Sequence, residues 1–213
     1  MTSSHHVPWQ PEYVVDVSDA AFATRTYLEH ADVRSLLRQA AGDHRFGTAC
    51  EVGAGYGRMT VVLTEFADRV IGLEREARFV EEARRLLPAI EFVQVESLGT
   101  LPVQTASVDC LLTFTVLQHL IDAVAQAVAL EIARIVKPGG YVLMCEETDS
   151  AHRNGAVDDP NGICTIGRPV EAYQRLLGTC DLVATKPRRI EPTYPRSDVG
   201  TYMLFRRQAG VQP

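Results

Sequence analysis

The stretch EVGAGYGRMT, residues 51–60, sets three glycines at every second position, Gly53, Gly55 and Gly57, directly behind a carboxylate, Glu51. Glycine lets a backbone come close to a ligand, because no Cβ stands between them. Such loops most often cradle a phosphate, yet Glu51 would repel one. The spacing departs from phosphate loops as well. G-x-G-x-G is neither the dinucleotide G-x-G-x-x-G nor the G-x-x-x-x-G-K-[ST] of P-loop nucleotidases. A carboxylate here would instead attract a cation. A second acid, Glu74, lies 17 residues after Gly57, where a carboxylate can accept hydrogen bonds from ribose hydroxyls. The pair of acids around a glycine loop points to a nucleoside that carries a ribose, no phosphate and a cationic group.

Proton chemistry has its own candidates. His119, in LQHL, has an ordinary pKa near ~6.5, suited to a general base; packing or capping a turn is the competing role. Glu146 and Glu147 end the apolar run YVLMCEE, and strand neighbours point to opposite faces, so one of the two can face a pocket. Asp149 and His152 open the polar stretch that follows and could reach inward, against a default reading as solvated loop. Trp9 and Tyr13 could close over a planar or apolar substrate, or pack the first helix. From residue 186 onward six basic residues (Lys186, Arg188, Arg189, Arg196, Arg206, Arg207) face two acids, Glu191 and Asp198. That surplus would favour an anionic substrate if it faced the pocket; scattered solvated arginines are the plainer account. The histidines and cysteines show no metal-ligand spacing, so no metal is expected.

The elements that must hold these residues alternate. SDAAFATRTYLEHADVRSLLRQAAG reads as a helix capped by Ser18 and ended by Gly42, with apolar residues at 3–4 spacing. TACEV is then a strand, RMTVVLTEFA a helix, RVIGLE a strand and REARFVEEARRLL an amphipathic helix closed by Pro88. IEFVQV and VDCLLTF are the third and fourth strands, DAVAQAVALEIARIV is a helix stopped by KPGG, and YVLMCEE is the fifth strand. The strands are apolar almost throughout, as when helices cover both faces of a mostly parallel sheet. Asp109 is expected to orient the fourth strand, and KPGG to be a structural turn. DSAHRNGAVDDPNGICTIG is polar and irregular; RPVEAYQRLLGTC is a helix, and LVATKPRRIEP and TYMLFRR are two further strands.

In order and spacing, residues 48–145 resemble the core of a class I S-adenosylmethionine-dependent methyltransferase, through EVGAGYG, IGLE, FVQVESLGTLP, SVDCLLTFTVLQHL and VKPGG. The resemblance implies a Rossmann-like α/β three-layer sandwich whose mostly parallel seven-stranded sheet has an antiparallel C-terminal strand. It implies S-adenosyl-L-methionine as cofactor and S-adenosyl-L-homocysteine as product. Carried across residue by residue, Gly53, Ala54 and Gly55 would line the cofactor beside Glu51, and Glu74 with Arg75 would hold the ribose. Glu96, Ser97 or Leu98 would meet the adenine, where the family usually has an aspartate. Phe114 and Thr115 would lie below the methionyl group.

Net charge of −6 argues against nucleic acid as the main partner. No apolar run reaches the ~20 residues that span a bilayer, and residues 1–16 lack the features of a signal peptide. Five scattered cysteines without a CxxC pair fit reduced thiols in a cytoplasm. We therefore expect a cytoplasmic, single-domain chain over 1–213, with residues 1–42 as lid and helix and 149–168 as a substrate-side segment. GRPVEAYQRLL resembles a segment of bacterial methyltransferases acting on sugars and natural-product intermediates, so the expected activity is O- or N-methylation of a small molecule. The alternatives are methylation of a protein or rRNA, and a cofactor-binding module without turnover. A homo-oligomer is compatible with the sequence.

Overall fold

The computed structural model describes residues 20–154, 165–188 and 200–210. Trp9, Tyr13 and Ser18 lie outside the described residues, as do Cys164, Arg189, Glu191, Arg196 and Asp198. Helix α1 (Ala20–Ala41) precedes strand β1 (Phe46–Val52), helix α2 (Thr60–Leu63), β2 (Ala67–Glu74), α3 (Ala77–Leu86) and β3 (Glu91–Gln94). Then come β4 (Val108–Phe114), a 3-10 turn (Leu117–His119), α4 (Asp122–Ile135) and β5 (Val136–Glu147). A two-stranded ribbon, β6 (Arg153–Asn154) and β7 (Thr165–Ile166), leads to α5 (Val170–Leu176), β8 (Cys180–Pro187) and β9 (Gly200–Arg207).

Seven strands make one sheet in the order β3-β2-β1-β4-β5-β9-β8. All pairings are parallel except those of β9, which runs antiparallel to both β5 and β8. The strands are apolar because both faces are covered. One core, with Val33, Leu37, Val62, Leu63 and Val80, lies under α1, α2 and α3. The other, with Val128, Ile132, Tyr173 and Leu177, lies under α4 and α5. The chain steps outward from β1 to β2 and β3 and returns to β4, so strand order reverses between β1 and β4. A crevice for ligand opens at the carboxyl ends of strands at such a point.

Three departures from the sequence expectation have local causes. Helix α2 keeps four residues of the ten expected, because Thr60, Val61, Val62 and Thr64 are β-branched and stiff at χ1. Tight bonds from Thr64, Glu65 and Phe66 N–H to carbonyls three residues back then end it. KPGG is absorbed into β5 as a bulge: β4 moves from Val108 to Cys110 while β5 moves from Val136 to Tyr141, with Gly139 at φ +79°. The stretch taken as irregular holds the β6–β7 ribbon, which crosses Asp149 so closely that a Cβ at Gly167 would sit 1.8 Å from the Asp149 carbonyl oxygen. Asp109 does orient β4. Its Oδ2 accepts from Thr48 N–H on β1 at 2.8 Å, and its Oδ1 pairs with Lys137 at 2.7 Å.

Candidate functional site

The turn after β1 is built on left-handed glycines: Gly53 has φ +73° and Gly57 φ +89°. A side chain at Gly53 would strike Val116 at 2.5 Å, whereas one at Gly55 would meet nothing within 4 Å. Gly55 therefore marks the open face of the loop. Gly57 is a packing residue, since a Cβ there would meet Leu87 at 2.6 Å and Phe92 at 2.9 Å. Ala54 is buried in the core beneath. Glu74 ties the loop to the end of β2: Gly55 N–H donates to its Oε2 at 2.7 Å, and the N–H groups of Arg75 and Glu76 donate to its Oε1 at 2.7 and 2.9 Å. Glu51 sits behind the loop rather than at its face. It is buried, its carboxylate accepts from Thr60 Oγ1, and burial pushes its pKa up to about 8 against the pull of Arg58.

The turn after β3 lies beside Glu74, whose carbonyl accepts from Val95 N–H at 2.9 Å. Glu96 and Ser97 are exposed there, Ser97 Oγ accepts from Gly99 N–H, and Leu98 packs on the core under α4. Burial lowers the pKa of half-buried Arg75.

Past β4, Thr115 takes a left-handed φ of +54° and donates its N–H to Cys145 O at 2.7 Å. Val116 and Gln118 N–H donate to Glu146, which also receives Thr113 Oγ1. Glu146 is fully buried, and desolvation pushes its pKa up to about 7 against those donors. Of the two acids that end β5, Glu146 has its carboxylate taken up in holding the 3-10 turn. His119, in that turn, lies half-buried against Gln118. Arg168 locks the same turn by donating to the carbonyls of Leu117 and Leu120 and to Asp122.

Glu147 points to the other face. Its Oε1 accepts from Asp149 N–H at 2.8 Å, and its Oε2 lies 2.6 Å from His152 Nδ1. Glu147 and His152, separate candidates in the sequence, thus form a carboxylate–imidazole dyad. Asp149 itself is exposed and caps the turn by accepting from Ala151 N–H.

The family model described as a methyltransferase domain matches residues 50–144, which hold the glycine loop, Glu74 and the β4 turn. This stretch, just under half of the chain, matches a methyltransferase domain, and relatives and solved structures like it are named as S-adenosylmethionine-dependent. A trans-aconitate 2-methyltransferase of Azoarcus is 28% identical over 88% of this chain and 79% of its own length. A probable S-adenosylmethionine-dependent methyltransferase of Mycolicibacterium smegmatis is 36% identical over 44% of this chain and 35% of its own. An uncharacterized 37.1 kDa protein of a Streptomyces fradiae transposon is 38% identical over 49% of this chain. The match spans about a third of each of the last two relatives, 35% and 30% of their lengths. Among solved structures, a Leishmania major SAM-dependent methyltransferase superposes with a TM-score of 0.74 at 20% identity, over 94% of this chain and 79% of that one. The N-methyltransferase NodS of Bradyrhizobium japonicum, solved with S-adenosyl-L-homocysteine, gives 0.68 at 16% identity over 90% of each chain. These two likenesses establish the fold.

The residues of the methyltransferase domain suit its cofactor. Open space at Gly55 leaves room for close backbone approach, and Glu74 stands beside it with a carboxylate able to receive ribose hydroxyls.

Beside the loop lies a buried ion cluster centred on Arg58 and Glu29, which the sequence did not single out. Arg58, directly after the loop, stacks its guanidinium over Phe114 at 5.1 Å and Phe22 at 5.7 Å. It pairs with Glu29 of α1, which is fully buried and also receives Arg25 and Arg188. A helical wheel of α1 was the available signal: Glu29 falls on the stripe of Phe22, Val33 and Leu36.

Proposed function

We propose that the chain transfers a methyl group from S-adenosylmethionine to a small molecule. The observation that carries this is Glu74, one carboxylate hydrogen-bonded to Gly55 N–H and to the N–H groups of Arg75 and Glu76, which joins the two strand ends between which the cofactor would lie. When bound, the cofactor supplies an electrophilic methyl group on a sulfonium. Glu74 would receive the ribose hydroxyls, and the turn at Glu96, Ser97 and Leu98 the adenine. Arg58 would meet the methionyl carboxylate, with Phe114 and Thr115 as the floor. For an acceptor that must lose a proton, His152 would take it at Nε2, since Glu147 fixes Nδ1 as the donor nitrogen. Cys145 belongs to the core under α1, and strand alternation puts Glu147, two residues on, over that same face.

The match to the Azoarcus enzyme over 88% of this chain favours a small acceptor over a protein or an RNA. We read residues 1–213 as one domain, with 1–42 and 149–168 on the acceptor side. No helix among the described residues is long and apolar enough to cross a membrane. Cys50, Cys110, Cys145 and Cys180, all buried and unpaired by disulfide, support a cytoplasmic location.

Calorimetric titration with S-adenosylmethionine and S-adenosylhomocysteine, with Glu74→Ala alongside, tests the reading. Binding of both ligands by the intact chain, weakened roughly tenfold or more in the variant, supports it. An intact chain that binds neither would sink it. Methyl turnover in an acceptor screen then separates an enzyme from a binding module.

A further inference from the structure

We propose that the face of the sheet beneath α1 carries a subsite for a carboxylate of the acceptor, held by Arg188 and Arg25 and completed by the hydroxyls of Tyr202 and Thr26. The proposal rests on the methyl-transfer reading and names the substrate class of that same site.

The register places the parts. Phe114 on β4 pairs with Cys145 on β5, Cys145 with Tyr202 on β9, and Tyr202 with Lys186 on β8. Directly paired residues share a face, so these four form a row across the sheet just below its carboxyl edge. α1 lies over that row with Glu29 and Asp32 turned inward, both buried. Lys186 and Asp32 pair at 2.9 Å and balance one another. Glu29 is in a different position. Its Oε1 accepts from Arg25 Nε at 2.8 Å and from Arg188 Nε and Nη2 at 2.9 and 2.6 Å, while Arg58 holds the other oxygen. Among the described residues, three guanidiniums converge on this one carboxylate.

Arg188 is buried, and its guanidinium also lies 5.3 Å from the centre of the Phe114 ring. It passes close over Gly200 on the way. A Cβ there would come within 3.2 Å of Arg188 Cδ. Glu51, the other acid near Arg58, is pushed toward its neutral form and offsets little of the charge. Burial likewise lowers the pKa of His30 on α1. Arg58 and Arg188 alone outnumber the Glu29 carboxylate, and excess positive charge in a buried place is costly unless an anion joins it.

A second observation is independent of charge. Tyr202 is completely buried, yet its hydroxyl has no hydrogen-bond partner, and the buried Thr26 Oγ1 has none either. Thr26 lies one turn from Phe22 and Glu29 along α1, and Tyr202 stacks at 6.1 Å on the Phe114 ring that carries both Arg58 and Arg188. Buried hydroxyls are ordinarily satisfied. Here two orphaned donors flank a cluster of guanidiniums that already shows how it receives one carboxylate, that of Glu29. An acceptor carboxylate entering beside Phe114 would satisfy both hydroxyls and balance the guanidiniums, with the atom to be methylated turned toward the His152–Glu147 dyad on the same face.

The test is a titration of the full chain saturated with S-adenosylhomocysteine. The probes are glutarate, its neutral diamide and inorganic phosphate. Glutarate should bind saturably and the diamide should not. Arg188→Gln should weaken glutarate roughly tenfold or more while leaving S-adenosylhomocysteine affinity within about twofold. Tyr202→Phe should weaken glutarate without lowering the melting temperature, because it removes a group whose hydrogen bond is unmade in the free protein, and it keeps the test open if Arg188→Gln does not fold. Absence of glutarate binding, glutarate binding indifferent to both variants, or phosphate binding in place of glutarate overturns the proposal. So does an equal loss of S-adenosylhomocysteine affinity in Arg188→Gln, which would return the cluster to the cofactor. If the intact chain binds glutarate through Arg188 and Tyr202 but no S-adenosylhomocysteine, the anion site stands and the methyl-transfer reading falls.

Discussion

At the scale of single residues, the two acids of the glycine loop have different work. Glu74 is at the loop's mouth and Glu51 is behind it, where burial raises the proton affinity of Glu51. Its folded-state pKa, about 8 against an ordinary 4.5, gives a signed prediction. Below pH 4.5 both folded and unfolded chains hold the proton, and Glu51 costs nothing. Between 4.5 and about 8 the unfolded chain releases the proton while the folded chain keeps it, so stability falls through that window and then levels. Glu51→Gln should abolish its share of that fall. Urea denaturation at pH 6 and pH 9 should find the variant gaining on the parent with rising pH, by on the order of a few kcal/mol at the upper end. The dyad offers a kinetic counterpart. Glu147→Gln keeps an acceptor for His152 Nδ1 but removes the carboxylate beside the ring. With any acceptor that turns over, kcat/KM should drop roughly ten- to a hundredfold. An unchanged kcat/KM would mean that the pair only braces the β5 turn.

At the scale of elements, the turn after β4 is held from two sides, by Glu146 accepting its N–H groups and by Arg168 donating to its carbonyls. Arg168→Ala would leave the carbonyls of Leu117 and Leu120 and the Asp122 carboxylate without that donor. It should cost roughly 2–4 kcal/mol, read as a lowered melting temperature. The sequence announced the turn but not its locks. Periodicity captured what depends on near neighbours: β4 as Val108–Phe114, and the end of α1 at Ala41, directly before Gly42. It over-extended α2, where β-branched residues broke an otherwise helical pattern, and it passed over β6 and β7, each two residues long and meaningful only when paired. The glycine loop and Glu74 were readable because their chemistry sits in contiguous strand–turn segments. Glu29 with Arg58 and Arg188 was not, because those partners lie 29 and 159 residues away in the chain. Nor did the wheel of α1 help unaided, since acids on an apolar stripe carry no label saying which cations they will meet.

At the scale of the whole molecule, the cofactor would bridge the ends of β1, β2, β3 and β4, four of the seven strands in the sheet, so binding should be felt as global stability. At roughly a hundred times its dissociation constant, S-adenosylhomocysteine should add about 2.7 kcal/mol. For a chain of this size that is a rise of very roughly 5–10 °C in melting temperature, visible by calorimetry and absent in Glu74→Ala at the same concentration. The position of β9 has a further consequence, which concerns synthesis. β9 is the last strand of the sheet to leave the ribosome, yet it lies between β5 and β8. Until residues 200–207 emerge, the nascent chain must wait with the edge of β5 unpaired, and that edge carries the apolar run Val142–Cys145. β8 does not close the gap, since among the described residues its partner in the sheet is β9. The same late strand delivers Tyr202 to the row beneath α1, so the face on which chemistry is proposed is completed only with the last insertion. A ribosome stalled before residue 200 would hold out a sticky half-sheet, a natural client for a chaperone.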